Sequence, residues 1–328
     1  MNYAITRPEG TDPVEMRAVY GSLLADMAAK DERIVVLDAD LMRANGTFDY
    51  RERFRDRWID VGVAEANMVG VAAGLSTTGM IPFPATFTCF AARRTFDQFF
   101  ISANYARQNV KLTGTDPGVA AAFNGGTHMS FEDIGLMRTI PGLYICEPSD
   151  PVSLRKLIPQ ITYRQGSSYL RLHRKAIAPI YSESEEFELG KGKVIVEGRD
   201  LTIIATGAIM VAEALKAAEA LSARGVNATV VDMHTVKPID EALVIDLAKK
   251  TGAILTCENH QVRNGLGSAV AEVLTEHAPV PQIRVGIKDE FGEVGTQEYL
   301  QQRFGLTADN LVAEAQKLMA RKVQPVGA

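Results

Sequence analysis

The sequence has no basic block, no C-x-x-C pair, no long apolar run and no phosphate-binding glycine motif, and each absence removes a class of function. Lysine and arginine are scattered and the net charge is −5, so nothing marks a surface for nucleic acid or an anionic membrane. The three cysteines, Cys89, Cys146 and Cys257, are odd in number and sit in apolar runs, where a free thiol behaves as a small hydrophobe. Neither a zinc site nor a disulfide framework is expected, and a reducing, cytoplasmic compartment is. No segment approaches the roughly 20 apolar residues of a membrane span, and "MNYAITRPEG" lacks the apolar core of a signal peptide. Neither a G-x-S-x-G elbow nor a P-loop occurs.

What is present is globular material: 328 residues, 46% hydrophobic and 23% charged, a length that favours two domains. Short β-rich runs alternate with segments of helical period. "RIVVLDAD", "WIDVG", "NVKLTG", "LYICEPSD" and "SYLRLH" lie in the first half, and "DLTIIATG", "NATVVDMH", "GAILTCEN" and "QIRVGI" in the second. Such alternation predicts an α/β fold, with mainly parallel sheets covered by helices on both faces. Between the halves, "APIYSESEEFELGKGK" is polar, acidic and without period, and it predicts a boundary. The expected organisation is a domain over 1–180, a linker over 181–192 and a domain over 193–328. The turn at Gly207 lacks G-x-G-x-x-G and reads as steric rather than phosphate-binding.

Four stretches hold the candidate chemistry. In "DVGVAEANMVGVAAGL" a single carboxylate, Glu65, opens a helix that is apolar nearly all round. Gly62 three residues earlier allows a capping role, the one partner that the chain by itself offers Glu65; left unpaired, a buried carboxylate is costly. In "PFPATFTCFAARRTFDQFF", Phe87 and Phe90 stand three apart, either as core or as a flat apolar platform. In "FNGGTHMSFEDIGLMRTIPGL", His128 lies on a Gly-Gly loop ahead of Ser130-x-x-Asp133, a capping pattern. "YLRLHRK" alternates as a strand, with Arg171 and His173 on one face and Arg174 at its end, where a guanidinium suits phosphate or carboxylate; Arg17 has the same ambiguity.

Taken in order, these stretches resemble the last two-thirds of transketolase, a pyrimidine-binding domain followed by a C-terminal domain. "HTVKPID", "ENHQVRNGLGSAVAEVL" and "FGEVGTQEYL" extend the resemblance through the second half. It implies two three-layer α/β/α domains of the thiamine-diphosphate-enzyme type and transfer of a two-carbon ketol unit between sugar phosphates. Glu65 matches the catalytic glutamate that hydrogen-bonds the cofactor pyrimidine, and Phe87 and Phe90 the aromatic residues lining its pocket. Asp40 matches an acidic residue near the cofactor and subunit interface. His128 matches a histidine at the donor sugar, and Arg17 and Arg174 match arginines that hold the substrate phosphate. The family anchors the diphosphate through Mg²⁺ at a Gly-Asp-Gly motif, which this sequence lacks. The resemblance therefore implies the C-terminal subunit of a split transketolase, paired in a two-plus-two assembly with an N-terminal subunit that carries that motif.

Three positions depart from the family pattern. Asn124 stands where an aspartate reads a donor hydroxyl, Ala44 near a phosphate-contacting serine, and Arg93 in place of a tyrosine beside the pyrimidine. They point to altered sugar specificity. The competing readings are the beta subunit of a 2-oxo acid dehydrogenase decarboxylase, a synthase using pyruvate and glyceraldehyde phosphate, and a non-catalytic subunit that binds or regulates a complete enzyme.

Overall fold

The computed structural model describes residues 1–8, 10 and 12–322. The runs expected as strands in the first half do form strands, and among them lies a longer one that alternation did not reveal, Ile81–Phe87. Its prolines hid it, and the sheet shows why they are tolerated. The Ile81 N–H donates to the Arg33 carbonyl at 2.7 Å, so odd positions bond toward Ile34–Asp38. Pro82 and Pro84 turn their missing donors the other way, toward Lys111–Thr115, where pairing begins only at Ala85.

The first sheet runs Thr235–Lys237, Tyr144–Cys146, Ser168–Leu172, Lys111–Thr115, Ile81–Phe87, Ile34–Asp38, Trp58–Asp60. All its pairings are parallel except that of Thr235–Lys237, which enters antiparallel from the second half. The second sheet runs Asn2–Tyr3, Lys193–Glu197, Ala228–Asp232, Leu201–Ala205, Ile254–Gln261, Gln282–Ile287, parallel from Ala228–Asp232 onward. Strands such as Ile34–Asp38 and Leu201–Ala205 are buried throughout, as expected of parallel strands covered on both faces. The fold is α/β, and each sheet takes one edge strand from the other half of the chain.

Four helices begin where a side chain satisfies a free N–H group. Asp150 and Ser153 form a reciprocal capping box at Pro151–Tyr163, with Pro151 at the first helical position. Asp240, Thr296 and Thr307 cap Glu241–Thr251, Gln297–Phe304 and Ala308–Arg321. The stretch after Ala176–Ile177 is irregular, yet it buries Tyr181 and Phe187 in the core.

Between the halves lies a buried ionic network centred on Arg171, which is 0% exposed. Its guanidinium donates to Asp133 at 2.7 and 3.3 Å, to Glu147 at 2.5 Å and to the Asn259 carbonyl at 2.8 Å. Asp133 is therefore not the capping partner of Ser130: the helix Asp133–Arg138 has no side-chain cap, and Asp133 is spent on Arg171 and on Tyr169 Oη at 3.0 Å. His173, just past the end of the strand that carries Arg171, is buried too, and burial pushes its pKa down to about 4. A Cβ on Gly207 would lie 2.3 Å from Glu147 Oε1, so that glycine is steric, as its sequence context implies.

Candidate active site

The expected site residues gather at one rim, the carboxyl ends of the parallel strands of the first sheet, where α/β sheets bind ligands. Asp40 follows Ile34–Asp38, Glu65 follows Trp58–Asp60, Phe87 ends Ile81–Phe87, Asn124 follows Lys111–Thr115 and Arg174 follows Ser168–Leu172. The loop after the first of these strands is held from below by Asp38. Its carboxylate accepts from the Leu41 N–H and Asn45 Nδ2 at 3.1 Å each and from Thr47 Oγ1 at 2.6 Å, while burial pushes its pKa up to about 6. Asp60 ties Asp40 to the approach to Glu65, accepting the Asp40 N–H at 3.0 Å and the Gly62 N–H at 2.9 Å.

Glu65 is 1% exposed and is the first residue of the helix Glu65–Thr77. It makes no capping bond, which overturns the capping role that Gly62 suggested. Its partner is Arg94, whose Nη1 donates to Oε1 at 2.9 Å and Oε2 at 2.8 Å. The Arg94 guanidinium carbon lies 4.4 Å from the Phe90 ring centroid. Local winding brings this about: Phe90–Arg94 is a π-helical turn, wider than an α-turn and common at functional sites.

Phe87 and Phe90 are half-buried, with ring centroids 6.2 Å apart. His128 stands edge-on to both, 6.1 Å from Phe87 and 5.3 Å from Phe90. Arg93 reaches the same loop, donating to the Thr127 carbonyl at 2.8 Å, and Thr127 Oγ1 lies 2.9 Å from His128 Nδ1. On the opposite flank the Arg174 guanidinium carbon is 5.4 Å from the Phe87 ring centroid, and the Arg17 N–H donates to the Arg174 carbonyl at 3.1 Å. Arg17 itself pairs with Glu15 at 2.7 Å and donates to the Arg43 carbonyl at 3.3 Å. Asn124 is exposed, next to Gly125, and its side chain joins none of these contacts. Ala44 is half-buried in the loop held by Asp38.

The three motifs of the second half each pack against the first half of the chain. In "HTVKPID", Lys237 donates to the carbonyls of Arg138, at 2.7 Å, and Ile140. In "ENHQVRNGLGSAVAEVL", Asn259 accepts the Val119 N–H at 3.0 Å and donates to the Pro117 carbonyl at 2.9 Å. Glu258, pushed up to about 7 by burial, accepts the N–H groups of Leu266 and Gly267 at 2.7 and 2.8 Å. In "FGEVGTQEYL", Gly292 packs on the loop before His128, and a Cβ on Gly126 would fall 2.1 Å from its carbonyl oxygen. Cavities of about 450, 580 and 610 Å³ lie elsewhere and include none of the rim residues named above. Among the described residues no group of three or more His, Cys, Asp or Glu side chains could hold a metal ion, and no helix is long and apolar enough to cross a membrane.

Sequence reasoning missed Arg94 and Asp116. Arg94 could have been found as the second of two arginines inside an aromatic run. Asp116, buried beside Arg174 just past the strand Lys111–Thr115, carried no motif.

Comparison with known proteins places this architecture. Residues 12–179 match the transketolase pyrimidine binding domain, and residues 190–311 match the transketolase C-terminal domain. The chain belongs to the transketolase family. It is 53% identical to the 6-deoxy-6-sulfo-D-fructose transketolase subunit SqwH of Clostridium sp., over 94% of this chain and 95% of that one. It is 33% identical to an apulose-4-phosphate transketolase subunit of Phocaeicola vulgatus, over 92% and 96%. Among solved structures, one described as a split gene transketolase, inactive beta4 tetramer, superposes with a TM-score of 0.88 at 42% identity, covering 94% of this chain and all of that one. Against the full-length transketolase of Rattus norvegicus, 32% identical, the match covers 94% of this chain and 50% of the relative.

Proposed function

We propose that this chain is the C-terminal subunit of a thiamine-diphosphate-dependent transketolase, whose active site a separate diphosphate-binding subunit completes. The observation that carries the reading is the flat cation held between Phe90 and Glu65. Arg94 lays a planar group on an aromatic face and points its N–H at a buried carboxylate. An aminopyrimidine needs the same two partners, and Arg94, with 48% of its side chain exposed, has solvent to move into.

When bound, thiamine diphosphate supplies the nucleophilic carbon that takes up the ketol unit. The chain's own residues hold and orient. Glu65 keeps the proton at the pyrimidine ring nitrogen, and Phe87 and Phe90 supply the apolar walls. Arg93 pins the Thr127 carbonyl and with it the loop that sets His128 toward a donor hydroxyl. Asn124 offers an exposed amide to the sugar, Asp40 lies toward the subunit interface, and Arg17 and Arg174 meet the anion at the far end. Mg²⁺ and the diphosphate would be held by the partner's Gly-Asp-Gly motif, in a two-plus-two heterotetramer. The organisation into domains over 1–180 and 193–328 with a linker between them belongs to the same reading. So does a place in cytoplasmic carbohydrate metabolism, which the three buried free thiols suit.

The relative named for 6-deoxy-6-sulfo-D-fructose suggests that sugar as donor. Cleaving its C2–C3 bond passes C1 and C2 to an aldose and releases a four-carbon sulfo-aldose. Relatives matched along nearly their full length favour this reading over the 2-oxo acid decarboxylase subunit. The test is coexpression with a Gly-Asp-Gly-bearing partner, addition of thiamine diphosphate and Mg²⁺, and an assay of ketol transfer from sulfo- and phosphoketoses. Transfer is expected; a well-folded complex that binds no cofactor and transfers nothing would overturn the proposal.

A further inference from the structure

Asp116 is a buried group at the rim to which the proposed reaction gives no task. It follows the strand Lys111–Thr115, is 1% exposed, and has a left-handed backbone with φ 56°. Arg174 Nε lies 2.5 Å from Oδ2, off the line of a hydrogen bond, and among the described residues neither carboxylate oxygen accepts one. Burial raises its pKa, while Arg174, Lys175 and Arg17 pull it down, so three cations act on one carboxylate. Glu15 adds a second carboxylate, 2.7 Å from Arg17 Nη2. Arg43 lends only its carbonyl, its guanidinium being stacked 4.9 Å from the Phe48 ring centroid. Three positive charges less two negative leave this anion site a net charge of one.

We propose that Asp116 sets the charge selectivity of the Arg17–Arg174 site, fitting it to a sugar whose far end carries one negative charge, a sulfonate, and against a dianionic phosphate. This rests on the function proposed above. Both groups are tetrahedral and offer three oxygens to an arginine fork, so hydrogen-bond geometry separates them poorly. Charge separates them well. A phosphate monoester carries about −1.5 to −2 near pH 7 and a sulfonate one charge only, so Asp116 repels both but the phosphate by up to one further unit of charge. In a partly solvated site, one such repulsion is worth on the order of tenfold in affinity. Asn is among the few residues at ease with positive φ, so Asp116→Asn removes the charge while keeping shape and backbone.

The decisive measurement is the ratio of kcat/KM for 6-deoxy-6-sulfo-D-fructose to that for D-fructose 6-phosphate, in the complex completed by the diphosphate-binding partner. Asp116→Asn should lower it about tenfold, because KM falls for both sugars and about tenfold further for the phosphorylated one. A ratio unchanged within about twofold, or an equal loss with both sugars, overturns the proposal. Binding of methanesulfonate and methyl phosphate to the full chain needs no ketol transfer. There the variant should gain about tenfold more affinity for methyl phosphate than for methanesulfonate, and equal gains likewise overturn it. If that binding shift appears while no complex transfers ketol units, the proposed function fails and the charge selectivity stands. Should Asp116→Asn not fold, Glu15→Gln, at the exposed carboxylate, should move the binding ratio the same way by a smaller factor; no movement contradicts the proposal.

Discussion

Arg171, between the two sheets, and Arg94, on the rim, each bind a carboxylate that is almost fully buried, but they are finished differently. Arg171 is enclosed, and Nε, Nη1 and Nη2 all donate to Asp133, Glu147 or the Asn259 carbonyl. Arg94 is half exposed, gives one nitrogen to both oxygens of Glu65, and rests one face on the Phe90 ring. The first pair closes a seam, and removing either partner strands a charge in the core. The second is open on one side, so a ligand with the same planar shape and donor can take the arginine's place. At the rim, Glu65 is held by a single half-exposed cation and Asp116 has no hydrogen-bond partner among the described residues; in the seam, Asp133 and Glu147 have every oxygen bonded.

Breaking each pair in turn should give opposite results. Glu65→Gln is expected to lower turnover of the completed enzyme about a thousandfold, roughly 4 kcal/mol in the barrier, and to leave the melting temperature of the chain within a few degrees. Steady-state rates and thermal unfolding check both halves of that statement, and near-normal turnover would remove Glu65 from the chemistry. Arg171→Leu should do the reverse, costing the folded chain about 3–5 kcal/mol by leaving Asp133 and Glu147 buried without their cation. A urea midpoint unchanged from the parent would contradict the closed-seam account.

A smaller effect probes a second buried carboxylate that links the two halves, Asp232. Asp232 accepts from Ser149 Oγ and from Tyr181 Oη at 2.8 Å, while its Oδ1 has no partner among the described residues. Burial pushes its pKa up to about 7. Between the unfolded value of about 3.9 and that folded value, only the folded state holds the proton, so this residue's contribution to stability is full at low pH and is lost as pH rises through about 7. Asp232→Asn is neutral throughout and should gain on the parent as pH rises from about 5 to 7.5. A difference in melting temperature that does not change with pH would contradict this.

What the sequence made legible follows from how local each signal is. Apolar β-branched runs and helical period lie within ten or so residues, and the α/β fold was readable from them. Ile81–Phe87 was not, because its prolines mimic a break, and only its neighbours show that their missing donors face a gap in the pairing. Glu65 stood out as a carboxylate in apolar surroundings. Its partner did not, because Arg94 lies 29 residues on and reaches Glu65 from a π-helical turn that α-helical spacing does not anticipate. Asp133 looked like a cap because its partner Arg171 is 38 residues away. The motifs of the second half were recognisable as words, but their packing on the chain between Pro117 and His128 appears only when Asn259 and Gly292 are seen against it.

The central claim is that the rim is one face of a cofactor site whose other face belongs to another chain. Calorimetric titration of thiamine diphosphate with Mg²⁺ into this chain alone, into a Gly-Asp-Gly-bearing partner alone, and into their mixture tests it directly. The account predicts tight binding in the mixture, weakened when Glu65→Gln replaces the parent chain, and binding at least about a hundredfold weaker in either chain by itself. Equal affinity for this chain alone and for the mixture would contradict it.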